Sequence, residues 1–170
     1  MRSKKQTIQI PLRYLPSKLT KRDKKRQASM LKKSRKLYKQ HEYFSRTSLP
    51  SFKSKPSNHV QNAKRIYQID TIRPTKELAK RTGCTLNALK QIVKKGEGAY
   101  YSSGSRPNQT AQSWGIARLA SSITGGKAAA VDYDILKKGC NHSKKAFQLA
   151  KQSRKKYNYG HSRTRKVKIE

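Results

Sequence analysis

One stretch of this chain, Lys94 to Leu136, is poor enough in charge to bury a core, and it limits what the rest can fold around. It reads KKGEGAYYSSGSRPNQTAQSWGIARLASSITGGKAAAVDYDIL and holds most of the glycines, the single tryptophan Trp114 and the pair Tyr100-Tyr101. Gly96 and Gly98 suit a chain leaving a helix, because glycine enters the left-handed region without a Cβ clash. Tyr100-Tyr101 then reads as a short extended piece, and Ser102 to Asn108 as a run of turn formers. Thr110 can cap a helix from Ala111 to Thr124, whose apolar residues occupy more than one stripe and therefore predict burial. Gly125-Gly126 stops it.

Outside this stretch positive charge dominates. The net formal charge is +34, and residues 1–68, 69–143 and 144–170 carry 18, 7 and 9 of it. Self-repulsion of that size calls for a polyanion or acidic neighbours. No apolar run approaches the roughly 18 residues of a membrane span, and Arg2, Lys4 and Lys5 lead into no apolar signal segment. The expectation is a chain that neither spans a membrane nor carries a secretion signal. Cys84 and Cys140, far apart in sequence, are expected to be reduced thiols. Cys140-Asn141-His142 lacks the second ligand pair that a zinc site needs, so no metal and no cofactor is expected.

Before the mild stretch, Ile8 to Ile10 alternates and meets Pro11, which predicts at most a short edge strand, able to join a neighbour's sheet. Thr20 and Asp23 have capping-box spacing, and a helix is expected from there to about Tyr43. Its apolar stripe is thin against Lys21, Arg22, Lys24, Lys25, Arg26, Lys32, Lys33, Arg35 and Lys36, so it should order mainly when bound. Residues 46–58 have a linker's composition. Thr75 can cap a helix ending at Gly83, and Thr85 a second helix from Leu86 to Lys95. Leu78, Ala79, Gly83, Cys84, Leu89 and Ile92 fall where a helix-turn-helix places its apolar pair, small residue, turn glycine and inner face. Thr85, Asn87, Ala88, Lys90 and Gln91, with Lys94 a turn further on, would then be the exposed, DNA-facing positions. An ordinary αα-hairpin with a solvated polar face fits the same pattern.

In the Gly/Ser loop, Ser103, Ser105 and Arg106 are candidates for a phosphate nest. The preferred reading has Arg106 stacked on Trp114 or a tyrosine, tying the loop to its helix. Asp132 and Asp134 are expected in ion pairs with nearby lysines rather than in acid/base work. Residues 127–136 read as one helix, and Ser143 can cap a last one before a basic tail.

The string GAYYSSGSRPNQTAQSWGIARLASSITGG, with the lead-in TKELAKRTGCTLNALKQIVKKG and the segment RYLPSKLTKRDKKRQASMLKKSRKLY, resembles a small basic protein family of unknown activity from large nucleocytoplasmic DNA viruses, with related phage domains. That resemblance implies a virus-encoded protein carried in the particle.

The expected fold is mostly α: a small helical core over residues 59–150 with a helix-turn-helix-like hairpin and a Gly/Ser loop. A basic N-terminal arm (1–45), a linker (46–58) and a C-terminal tail (151–170) flank it. The leading functional expectation is a non-enzymatic structural component of a virus particle, a minor capsid or inner-shell protein. Its arms would bridge acidic capsid or other virion proteins, the anionic face of an inner membrane, or genome. The rival is a helix-turn-helix-like DNA-binding or packaging protein. Expected locations are the virion and, during assembly, host cytoplasm or nucleus. An enzyme ranks third, since no nucleophile-base pair or carboxylate cluster is legible.

Overall fold

The computed structural model describes residues 7–170; the cations Arg2, Lys4 and Lys5 lie outside the described residues. Among the described residues the fold is mostly helical. In chain order come β1 (Ile8–Pro11), α1 (Lys21–Tyr38), α2 (Asn58–Tyr67), α3 (Lys76–Thr82), α4 (Leu86–Ser102), α5 (Ala111–Ile123), α6 (Lys127–Val131), α7 (Tyr133–Gly139), α8 (Lys145–Lys156) and β2 (Lys166–Ile169). None of these helices is long and apolar enough to cross a membrane.

The chain forms two compact units, which cut across the boundaries expected from composition. Among the described residues the first gathers 7–54, 98–111 and 163–170; the second gathers 55–97 and 112–162.

In the first unit the expected arm and tail are not free. β1 pairs antiparallel with β2, Ile8 opposite Ile169 and Pro11 opposite Lys166, so the edge strand finds its partner in its own C-terminus. α1 begins where its cap predicts, Thr20 Oγ1 accepting the Asp23 amide, but it ends at Tyr38. What holds it is a stripe of mixed polarity, with Asp23, Gln27, Met30, Leu31 and Ser34 buried. Each polar member has a partner. The Gln27 amide donates to the Tyr14 carbonyl, the Ser34 hydroxyl to the Tyr101 carbonyl, and the Ser51 amide and hydroxyl both donate to Asp23. The Ser51 hydroxyl and then its amide hold the Asp23 carboxyl below the ordinary carboxylate range. Satisfied polar burial therefore supplies what the thin apolar stripe lacks.

The supposed linker belongs to this unit. Leu49 is buried with Leu19 and Met30, against Leu15, Phe44 and Phe52. Asn108 clamps the same segment, accepting from the Leu49 amide at 2.7 Å and donating to the Phe52 carbonyl at 2.8 Å.

The second unit has the larger core, in which Leu78, Leu89, Ile92, Leu119, Ile123, Leu136 and Phe147 meet. α4 does not stop at Lys95. It runs through Gly96 and Gly98, so Tyr100-Tyr101 is helical rather than extended. The reason is a close approach of α4 and α5: a Cβ on Gly96 would lie 2.6 Å from the Gly115 Cα, and one on Gly115 would lie 2.6 Å from the Val93 carbonyl oxygen. Gly96 and Gly115 are packing residues, not breakers, whereas a Cβ on Gly98 would meet nothing within 4 Å. Gly115→Ala would gain about 1 kcal/mol of helix propensity, yet it pushes a methyl into backbone. A net loss of about 2 kcal/mol is expected from overpacking, read as a lowered denaturation midpoint.

The helix expected over residues 127–136 is broken at Asp132 (φ −97°, ψ 21°) into α6 and α7. Val131 is exposed.

Candidate nucleic-acid interface

α3, a three-residue turn and α4 form the helix-turn-helix pattern read from sequence. Thr75 Oγ1 accepts the Leu78 amide and starts α3. Gly83 ends it in the left-handed region, φ 75°, and Thr85 Oγ1 accepts the Ala88 amide at the start of α4. Inside the turn the Thr82 hydroxyl donates to the Leu78 carbonyl and accepts the Cys84 amide, so a polar residue fills an apolar slot with both its capacities used. Leu78, Leu89 and Ile92 are fully buried.

The candidate readers share one face. Asn87, Lys90, Gln91 and Lys94 are all exposed, at spacings of three and four residues, which place them in one row along a helix. Thr85 is exposed at the head of the row, with its oxygen already engaged as the cap. Ala88, read as part of that face, is buried instead. A Cβ added at Gly139 would lie 2.4 Å from the Ala88 Cβ, so α7 ends directly against the first turn of α4.

The turn is braced covalently. Cys84 and Cys140 form a disulfide, which corrects the expectation of two reduced thiols. They face each other across an isolated antiparallel bridge, with the Thr85 amide donating to the Gly139 carbonyl and the Asn141 amide to the Gly83 carbonyl, each at 2.7 Å. Such a pair, flanked by ladder bonds, brings side chains to their closest approach in a sheet. Distance along the chain had hidden this proximity. His142 stacks on Phe147, ring centroids 4.1 Å apart, and its Nε2 meets the Lys137 carbonyl.

A profile of one protein family matches residues 11–139, described as a family of unknown function (DUF5824). The chain belongs to the DUF5824 family. The DUF5824 match takes in α1, the α3–α4 hairpin, the Gly/Ser loop and α5, and it stops one residue before Cys140. No curated protein and no solved structure matches the chain.

The second set of candidates lies in the Gly/Ser loop. Ser105 is buried, its hydroxyl donating to the Arg106 carbonyl and accepting from Arg46. Ser103 is exposed and its carbonyl receives two donors from Arg35. Arg106 is exposed. The guanidinium that fixes this loop is one that sequence reasoning missed. Arg46 lies 3.8 Å from the Tyr100 ring centroid and donates to the Ser34 hydroxyl, the Tyr100 carbonyl and the Ser105 hydroxyl. Burial pushes its pKa below the ordinary arginine value, with Tyr100 opposing. Nothing in its setting, RTSLPSFKSKPSN, distinguishes it from a linker arginine.

The basic candidates on α1 divide by position. Lys21, Arg22, Lys25, Arg26, Lys33 and Lys36 are exposed, whereas Lys24, Lys32 and Arg35 are half-buried. Asp132 makes the ion pair expected of it, with Arg118 and Lys95.

Proposed function

We propose that this protein binds double-stranded nucleic acid through the α3–turn–α4 hairpin, with α4 as the reading helix. The observation that supports the reading is the exposed row Asn87, Lys90, Gln91 and Lys94, standing on a hairpin whose core positions are filled and whose turn is held by Gly83 and a disulfide. Asn87 and Gln91 carry the paired amide edges that match adenine in the major groove, and Lys90 and Lys94 suit guanine or phosphate. The remaining surface cations supply the salt-dependent attraction that any DNA reader uses.

Because a chain of charge +34 will hold DNA through many surfaces, binding alone is not the test. Anisotropy titrations of duplex DNA over a salt series are expected to give a log–log slope of about −7 if eight phosphates are contacted. Replacing Lys90 and Lys94 together by alanine should flatten that slope by about 2. Asn87→Ala with Gln91→Ala should relax sequence preference while leaving the slope alone. An unchanged slope in the lysine variant and unchanged preference in the amide variant would make the hairpin a packing element.

A second proposal, a non-enzymatic component of a large DNA virus particle, draws on the exposed cations of α1, which suit acidic protein surfaces as well as phosphate. In purified particles it predicts that the protein stays with the shell at high salt, whereas a genome-bound protein leaves with the DNA.

A further inference from the structure

Two exposed large hydrophobic side chains stand next to each other in the first unit. Tyr43 is 67% exposed and Tyr38 is 37% exposed. Their rings lie 6.2 Å apart at 63°, and the Tyr43 ring lies 5.1 Å from that of Tyr101. Tyr101 in turn meets Tyr100 edge-on at 5.0 Å. The row therefore starts in the protein interior, where Tyr100 is fully buried beneath the Arg46 guanidinium, and ends in solvent at Tyr43.

The outer end is held in place rather than left loose. After α1 the chain doubles back. Gln40 and Glu42 both donate to the Leu37 carbonyl, and His41, at φ 59°, donates to that of Tyr38. Next along, Phe44 is fixed against the α1 core, with Lys33 Nζ 4.5 Å from its ring centroid. Hydrophobic burial does not explain this placement, since a ring kept two-thirds in water contributes little to folding. Along the segment that carries Tyr38 and Tyr43, Lys36 and Lys39 are exposed and Arg35 is half-buried, and Glu42 is its one acid.

We propose that Tyr43, with Tyr38 and Tyr101, is a stacking platform for unpaired bases of single-stranded nucleic acid, and that Lys36 and Lys39 attract its phosphates. Exposed aromatic faces interleaved with cations are what single-strand binding uses: bases stack on the rings and the backbone follows the charge. The interior of a duplex cannot use the platform, because its base faces already cover one another, and an acidic peptide offers charge without the bases' flat π surfaces. The platform is a separate site from the α4 row, built on different residues and serving a different form of nucleic acid.

The test uses the full chain with three probes: a 12-nucleotide oligothymidylate, the same sugar-phosphate chain lacking bases, and a 12-base-pair duplex. Tyr43→Ala is expected to weaken oligothymidylate binding about tenfold, within the range that one lost stacking contact produces. Duplex binding and the salt slope should stay unchanged, because no cation is removed, and Tyr43→Phe should bind like the native protein. The base-free chain should bind the native protein about tenfold more weakly than oligothymidylate and be indifferent to Tyr43→Ala. Equal binding of oligothymidylate by Tyr43→Ala and native protein, or equal affinity of the native protein for both single strands, would overturn the proposal. The variant with alanine at positions 90 and 94 separates the two sites, since it should lose duplex contacts and keep the Tyr43 effect.

Discussion

Removing the Cys84–Cys140 bridge, by reduction or by Cys84→Ser with Cys140→Ser, is expected to lower the stability of the second unit by about 4 kcal/mol. The bridge closes a loop with a sequence separation of 56, and chain-entropy scaling assigns about 4 kcal/mol to a loop of that length. Against total stabilities of about 5–15 kcal/mol for ordinary domains, that is a large share. It falls on a unit whose surface is crowded with like charge. The single tryptophan, Trp114, lies in this unit, so its fluorescence follows the relevant transition without interference from the first unit. With a urea m-value of about 2 kcal/mol/M, the midpoint should drop by about 2 M on adding reductant. A midpoint indifferent to reductant, or two titratable thiols in the native protein, would show that the bridge contributes nothing in solution. The double serine variant must then match the reduced protein, because it lacks the same cross-link.

The elements that could be read from sequence are those specified by chemistry within a few residues. Thr20, Thr75 and Thr85 cap α1, α3 and α4 through bonds to amides three residues ahead. Gly83 and Gly125 stop α3 and α5 in the left-handed region. The α4 row was legible for the same reason, since it needs only helical periodicity and a turn glycine. What escaped depends on partners far along the chain. Gly96 looks like a breaker until Gly115 is placed against it. α1 looks too polar to fold until Gln27, Ser34 and Asp23 are given partners 13, 67 and 28 residues away. Arg46 looks like a linker residue until the Tyr100 ring is set beneath it. A count of apolar positions registers none of these, because the first is a close approach of two backbones and the burial in the others is polar and paired.

Asp132→Ala is expected to remove about 3–5 kcal/mol from the second unit, the range found when one partner of a buried ion pair is taken away. The Asp132 side chain is fully buried, while those of Arg118 and Lys95 keep 21% and 48% of their surface. Arg118 grips both carboxylate oxygens, Nε to one at 2.8 Å and Nη2 to the other at 2.7 Å, and Lys95 Nζ adds a third contact at 3.2 Å. The carboxylate also sits at the break between α6 and α7, so one acid joins α4, α5 and that corner. Its loss takes both of these bonds from the guanidinium, and it also adds to the repulsion of a chain already at +34. Salt separates these contributions. Self-repulsion between exposed charges is screened at 1 M salt, where the Debye length is about 3 Å, whereas a buried pair is screened much less. Urea midpoints followed by Trp114 fluorescence at low and high salt should therefore show a deficit that shrinks only slightly. A deficit that vanishes at high salt would reassign Asp132 to charge balance. Arg118→Met, which leaves the buried carboxylate with Lys95 and Ser122 alone, should be similarly damaging. The double variant Asp132→Ala with Arg118→Met should lose less than the two single changes added together, because neither change then leaves the other partner's charge without its counterpart.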